Sequence, residues 1–282
     1  MPVTVTPLRY PGGKSQLKPL LVDILRANQL VNCTYVEPYA GGCGLAIALL
    51  LERKIYTLHI NDIDPAIHAF WHCVLNRTEE LIARMWRTPV TLDEWHKQRA
   101  VQVNKRASMI ALGFSTLFLN RTNRSGILKG GVIGGLSQNG NYLLDCRFNK
   151  EDLEKKILAI SARRHAIVLT CLDALELVRT AVPEYGQETL VNLDPPYYTR
   201  GPELYTNFYG HDDHAALAET VQNLRVPWMV TYDDCAPIRK LYRKSCIETM
   251  PLRYSAQEKR SATELLITPK RLFIPQRLST AA

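Results

Sequence analysis

Short apolar runs that end at glycine, proline or acidic residues recur along the chain and alternate with stretches of helical period. Ser15 to Ala27 predicts a helix, and Thr34-Tyr35-Val36-Glu37 a short strand ending at Gly41-Gly42-Cys43-Gly44. Leu45 to Glu52 continues as an apolar helix, and Thr57 to Ile60 predicts the next strand, closed by Asn61-Asp62-Ile63-Asp64-Pro65. Pro65 suits a first helical turn and Asp64 its N-cap, so a helix follows from Ala66 to Leu75. After Phe148 the same rhythm predicts helices over Lys150–Arg164, Ala174–Thr180 and His211–Gln222. The strands between and after them are Ala166–Leu169, Leu190–Leu193, Trp228–Tyr232 and Glu264–Thr268. Strands alternating with helices imply an α/β fold around a mainly parallel sheet.

Between Trp71 and about Asn149 the pattern changes. Glu79–Trp86 and Leu92 to about Gln102 read as helices, and a β-branched and aromatic run follows at Ala111–Leu119. Then come Asn120-Arg121-Thr122-Asn123-Arg124-Ser125-Gly126 and the glycine-dense Lys129–Gly135, which favours a loop or hairpin with its backbone near a partner. The expected organisation is one α/β domain in two parts, 1–70 and 151–282, with 71–150 inserted.

Charge sharpens that division. The chain of 282 residues carries a net +8, and the stretch 71–150 holds 12 Lys/Arg against 5 Asp/Glu. The other 202 residues hold 23 and 22, so nearly all the excess is in the insertion. Such concentration is the footprint of a phosphate-backbone binder; the alternative is a solvated helix face. The 7 cysteines show no C-x-x-C pair, which argues for reduced thiols and against disulfide or zinc frameworks. No apolar run approaches the roughly 18 residues of a membrane span. No secretory signal is visible at the N-terminus, and a cytoplasmic protein is expected.

Three motifs carry chemistry. Asp194-Pro195-Pro196-Tyr197 follows a buried-looking strand, and its prolines cannot continue a sheet, so a stiff turn forms at the strand's C-terminal edge. It displays a carboxylate, two carbonyls and an aromatic ring, a set suited to an exocyclic amine on a planar base; a rigid surface turn is the alternative. Glu37-Pro38-Tyr39-Ala40-Gly41-Gly42-Cys43-Gly44 lies in the first strand-to-helix turn. Its glycines let the backbone approach a ligand and its acid suits a cationic centre, while Asp62 or Asp64 ends the next strand, where carboxylates take ribose hydroxyls. S-adenosylmethionine has a positive centre, a carboxylate and a ribose; a tight turn without ligand is the alternative. Arg9-Tyr10-Pro11-Gly12-Gly13-Lys14 is a further glycine turn, without the phosphate-loop spacing. His211 and His214 flank Asp212 and Asp213 with no evident third metal ligand, and read as a solvated helix start.

These motifs, in this order around a basic insertion, resemble the Dam-type (D12 class, alpha group) DNA N6-adenine methyltransferases from about Leu8 to Thr268. The stretch Asn120 to Gly135 is similar to a prophage-type subgroup. The resemblance implies a Rossmann-like S-adenosylmethionine-dependent methyltransferase fold with a mostly helical and hairpin target-recognition insertion. It further implies catalysis by Asp194, Pro195, Pro196 and Tyr197 on an adenine flipped out of double-stranded DNA. Tyr10, Lys14, Glu37, Pro38, Tyr39, Gly41, Asp62, Asp173 and Asp194 would border the cofactor, although Asp173 equally suits a helix N-cap. Arg121, Arg124, Lys129 and Arg260, with Arg253 and Lys259 near the last, are the candidate DNA contacts, and no metal is expected. A monomer or weak dimer without membrane attachment, nucleoid-associated, is implied; whether a restriction endonuclease partners it stays open. The rivals are a methyltransferase acting on another planar amine (cytosine N4, RNA) and a catalytically silent DNA-binding homologue.

Overall fold

The structure, a computed structural model, describes residues 4–10, 14–199, 209–254 and 260–275, with backbone alone at 251–254 and 260–262. Along the chain come α1 (Lys18–Ala27), β1 (Thr34–Glu37), α2 (Gly44–Leu51), β2 (Thr57–Asn61), α3 (Pro65–Asn76) and α4 (Thr78–Arg87). Next are α5 (Leu92–Val103), α6 (Met109–Thr122), α7 (Lys150–Ser161), β3 (Ile167–Thr170), α8 (Ala174–Thr180) and β4 (Thr189–Leu193). The last are α9 (His211–Gln222), β5 (Trp228–Asp233), α10 (Ala236–Leu241), β6 (Cys246–Tyr254) and β7 (Arg260–Thr268). They form two units: residues 1–15, 41–52 and 62–171, and residues 16–40, 53–61 and 172–282.

The first unit is mostly helical. Asp64 caps α3, its carboxylate accepting from the Ala66 N–H at 2.8 Å, with Pro65 in the first turn. Trp71 falls in the middle of α3, so the chain does not break where the charge pattern changes. The run Ala111–Leu119 is the interior of α6, whose Phe114, Leu117, Phe118 and Leu119 are all fully buried. A helix enclosed on every side needs no polar stripe, which is why its sequence carries no clear period. Its polar groups turn inward and are bonded: Ser115 Oγ donates to the Gln98 carbonyl at 2.7 Å and Thr116 Oγ1 to that of Ala66 at 3.0 Å. Gly113 is where α6 meets α3, since a Cβ there would lie 2.6 Å from the Ala69 carbonyl oxygen.

The second unit holds the sheet that positions the chemistry. Six of its strands run in the order β2-β1-β4-β5-β7-β6. The first four are mutually parallel, with Thr34 beside Thr57 and Thr189, and Val191 beside Trp228. β7 and β6 complete it as an antiparallel pair, Val230 facing Ile267 and Ile247 facing the same residue from the other side. β6 lies outside the strands predicted from sequence; Glu248, Pro251 and Arg253 interrupt its apolar alternation. All five residues of β4 are buried. Their core includes Val36, Val191, Leu193, Leu217, Val221, Trp228, Val230 and Leu265. Each such large side chain contributes about 1.5–3 kcal/mol by leaving water. Successive strands add to one side up to β2 and to the other from β4, so the order reverses between β1 and β4. Ligands of open α/β sheets bind outside the carboxyl ends at such a reversal.

Candidate active site

In the second unit the carboxyl end of β4 runs directly into Asp194–Tyr197. Asp194 Oδ1 accepts from Thr231 Oγ1 of β5 at 2.7 Å. Just past the turn, the Asp233 carboxylate accepts from the Tyr198 and Thr199 N–H groups, both at 2.9 Å. The Tyr197 hydroxyl donates to the buried Glu264 of β7. Proline rigidity and three separate anchors therefore fix this turn to β5 and β7. Pro195 and Pro196 are buried while Asp194 and Tyr197 are partly exposed, so the polar and aromatic groups are the ones presented.

At the adjacent strand end, Glu37 closes β1 and is buried. Asn61, fully buried at the end of β2, organises the loops around it. Its Nδ2 donates to the carbonyls of Pro38 and Leu172, both at 3.0 Å, and its Oδ1 accepts from the Leu172 N–H at 2.9 Å. The motif loop and the segment leading to Asp173 thus hang on one amide. Asp173 Oδ1 accepts from the N–H groups of Leu175 and Glu176, the N-cap of α8. Tyr39 shares a 2.9 Å hydrogen bond with the Tyr209 hydroxyl, and burial pushes its own phenol well up. His214 is not a solvated helix start: it is buried, 2.8 Å from the Tyr232 hydroxyl and packed on Tyr198 and Tyr209. Burial holds its imidazole below its ordinary range.

In the first unit the glycine turn is shaped by the N-terminal segment. Gly41 has φ +46°, and a Cβ on it would lie 2.6 Å from the Tyr10 ring, so only glycine fits. Trp71 Nε1 donates to the Gly41 carbonyl at 3.0 Å and Thr6 Oγ1 to that of Gly42 at 2.6 Å. Asp62 closes the arrangement. Its Oδ2 accepts from the Gly41 N–H at 2.8 Å and its Oδ1 from the Asp64 N–H at 2.9 Å. Burial pushes its carboxyl up to about 6, against those two bonds, which pull it down. Lys14 is buried at the start of a short 3-10 turn, Lys14–Leu17; Pro11, Gly12 and Gly13 lie outside the described residues.

Arg121 does not serve as a surface cation. It is buried, and its Nε donates to the Pro7 carbonyl at 2.6 Å, because the expected loop around it is the last turn of α6. Burial lowers its guanidinium to about 10. Asn120 and Asn123 are likewise internal: Asn123 Nδ2 donates to the Ile127 and Leu128 carbonyls, both at 2.9 Å, and accepts from Trp95 Nε1 at 2.7 Å. Arg124 and Lys129 are exposed, on the loop that sequence assigned to DNA. The side chains of Arg253 and Arg260, and all of Lys259, lie outside the described residues. Of the residues that sequence reasoning missed, Asn61, Thr231 and Glu264 gave no signal: each is one polar residue at a strand end or within an apolar strand.

A parallel sheet whose strand order reverses at its centre defines an open α/β fold, with acidic turns at its carboxyl edge. Residues 10–259 match the family described as D12 class N6 adenine-specific DNA methyltransferase, and the chain belongs to that family. No curated protein matches it. Among solved structures it is similar to the rRNA methyltransferase aviRa from Streptomyces viridochromogenes, at 15% identity over 92% of this chain and 86% of that chain, with a TM-score of 0.37. It is also similar to the SAM-dependent methyltransferase NGO1261 from Neisseria gonorrhoeae, at 14% identity over 93% of this chain and 70% of that chain, with a TM-score of 0.36. As a member of that family the chain is an adenine-N6 DNA methyltransferase, with S-adenosylmethionine as methyl donor. The chemistry of the groups present is compatible with that donor: the second unit carries a buried carboxylate at Glu37, and the first a glycine turn at Gly41.

Proposed function

We propose that Asp194, Pro195, Pro196 and Tyr197 carry out methyl transfer to an adenine flipped out of double-stranded DNA. The observation that supports this most is the turn itself, held by Thr231, Asp233 and Glu264 at the carboxyl end of the central strand. An amino group inside the duplex is out of reach, so the base must leave the stack, at a cost of a few kcal/mol. Tyr197 stacks on it, returning about 1–3 kcal/mol. The adenine N6 lone pair is delocalised into the ring and is a poor nucleophile. The Asp194 carboxylate and the Pro195 carbonyl accept its two hydrogens, drawing the nitrogen towards tetrahedral geometry and localising the pair. The sulfonium supplies an activated methyl; the chain's own contribution is alignment for in-line attack, which tolerates little misplacement. Asp194 need not be a strong base, because the N6 proton becomes acidic as the new bond forms.

Glu37, Pro38 and Tyr39 take the methionine end of the donor in this reading. Gly41 and Asp62 take the ribose side, with Tyr10, Lys14 and Asp173 at the margins. Segment 71–150 acts as the recognition insertion, with Arg124 and Lys129 meeting phosphates or base edges. Asp194→Ala tests the assignment: methylation of adenine-unmethylated plasmid DNA is lost while S-adenosylmethionine still binds. A variant that methylates at the wild-type rate refutes it.

A further inference from the structure

Glu264 lies in β7 between Asp233 of β5 and Met250 of β6, and is 1% exposed. Burying a carboxylate this deeply is costly unless it is bonded. One bond it makes reaches 67 residues along the chain, to the hydroxyl of Tyr197. We propose that Glu264 is a positioning residue for methyl transfer, holding the Tyr197 hydroxyl and thereby fixing where the ring on which the target base stacks is placed. The proposal rests on the reading of the Asp194–Tyr197 turn as catalytic.

The other anchors act on different parts of the turn. Thr231 holds the Asp194 carboxylate, and Asp233 holds the backbone N–H groups of Tyr198 and Thr199. The bond to Glu264 acts on the ring itself. The hydroxyl lies on the axis of the ring's terminal torsion, so a tether at that end fixes where the axis points and stops the ring swinging about χ1. Stacking is sensitive to plane and offset, so a ring free to tilt spends less time in the arrangement that presents N6 to Asp194. Where only a π-face is needed, phenylalanine serves as well as tyrosine. In this chain the hydroxyl has a dedicated acceptor, so phenylalanine is not equivalent.

Three variants test this: Tyr197→Phe, Glu264→Gln and the double. Single-turnover methylation of adenine-unmethylated plasmid DNA falls about tenfold in each single variant, on the scale of one lost charge-assisted hydrogen bond. The dissociation constant for S-adenosylmethionine and the KM for DNA stay within about twofold, and the double variant is no slower than the worse single. A double variant whose loss is the product of the two single losses overturns the proposal, because the residues then act independently. So does Tyr197→Phe at the wild-type rate, which removes the hydroxyl while leaving the Glu264 side chain in place and is informative even if Glu264→Gln misfolds. If Asp194→Ala is inactive while Tyr197→Phe is fully active, Glu264 alone loses its role. If Asp194→Ala is active, the underlying catalytic reading fails instead.

Discussion

Arg9 and Asn120 exchange two hydrogen bonds of 2.7 Å, the Arg9 N–H donating to Asn120 Oδ1 and Asn120 Nδ2 donating back to the Arg9 carbonyl. The pair joins backbone next to Tyr10 to the last turn of α6, and Nδ2 also donates to the Gly126 carbonyl at 2.9 Å. Gly126 must be glycine there: its φ is +77° and a Cβ would come within 2.5 Å of the Arg9 carbonyl oxygen. Asn120→Asp keeps the acceptor but loses both donations and adds a charge at a site 1% exposed. It should destabilise the protein by about 1–3 kcal/mol or more. Urea denaturation would show this as a lower midpoint at an unchanged slope, with weaker S-adenosylmethionine binding as Tyr10 loosens. An unshifted midpoint would mean that this pair holds nothing together.

Two classes of basic residue should behave differently in DNA binding. Replacing exposed Arg124 and Lys129 by glutamine lowers the slope of log K against log salt by up to about 0.9 for each phosphate contact removed. Arg121→Met leaves that slope alone and lowers thermal stability, because the Pro7 carbonyl loses its donor. Fluorescence anisotropy over a salt series, beside a melting curve, separates them. A flattened slope for Arg121→Met with no loss of stability would return that residue to the DNA surface.

Thr231→Val removes the donor to Asp194 Oδ1 while keeping the shape of the side chain. With the carboxylate free to turn away from N6, kcat should fall about tenfold to a hundredfold. The affinity for S-adenosylmethionine should hardly move, since Thr231 is bonded to the turn and not to the glycine loop. Single-turnover rates together with equilibrium dialysis would expose an error: a rate near wild type removes the need for that anchor.

If Asp62 takes the ribose, as proposed, cofactor binding is sensitive to pH. Burial raises its carboxyl to about 6, so the folded chain takes up this proton before the unfolded chain does, near 3.8. Folding is therefore favoured by this group as pH falls from about 6 towards 3.8, and charged Asp62 costs stability above about 6. Ligand binding runs the other way, because a protonated carboxyl is the poorer acceptor for ribose hydroxyls. Affinity for S-adenosylmethionine should weaken as pH drops from 7.5 to 5.5, as titration calorimetry would show. A flat profile would place the ribose elsewhere.

Elements whose signals are local were legible in the sequence. Asp64 and Pro65 announce the start of α3 by side-chain chemistry that needs nothing from the rest of the fold, and the structure shows that cap. The bounds of α8 and α9 match for similar reasons. Family and turn motifs were legible too, since prolines and glycines state their backbone requirements directly. What stayed hidden depends on tertiary neighbours. α6 is enclosed by the helices around it, so its run of Phe, Leu and Thr looks like a strand's. β6 exists because β7 pairs with it, not because of its own alternation. Asn61 and Glu264 are single polar residues whose importance lies in partners 23 to 111 and 67 positions away. Arg121 was misread because charge in a basic stretch suggests solvent, whereas its head group turns inward to a backbone carbonyl.

The Arg9–Asn120 interlock also limits how this enzyme can be re-engineered. If 71–150 is the recognition cassette, as proposed, a chimaera that grafts a relative's residues over it would import a foreign residue at the position of Asn120 and leave the backbone of Arg9 in the host without its partner. On that reading the transferable module is discontinuous, and the segment that carries Arg9 must travel with the cassette.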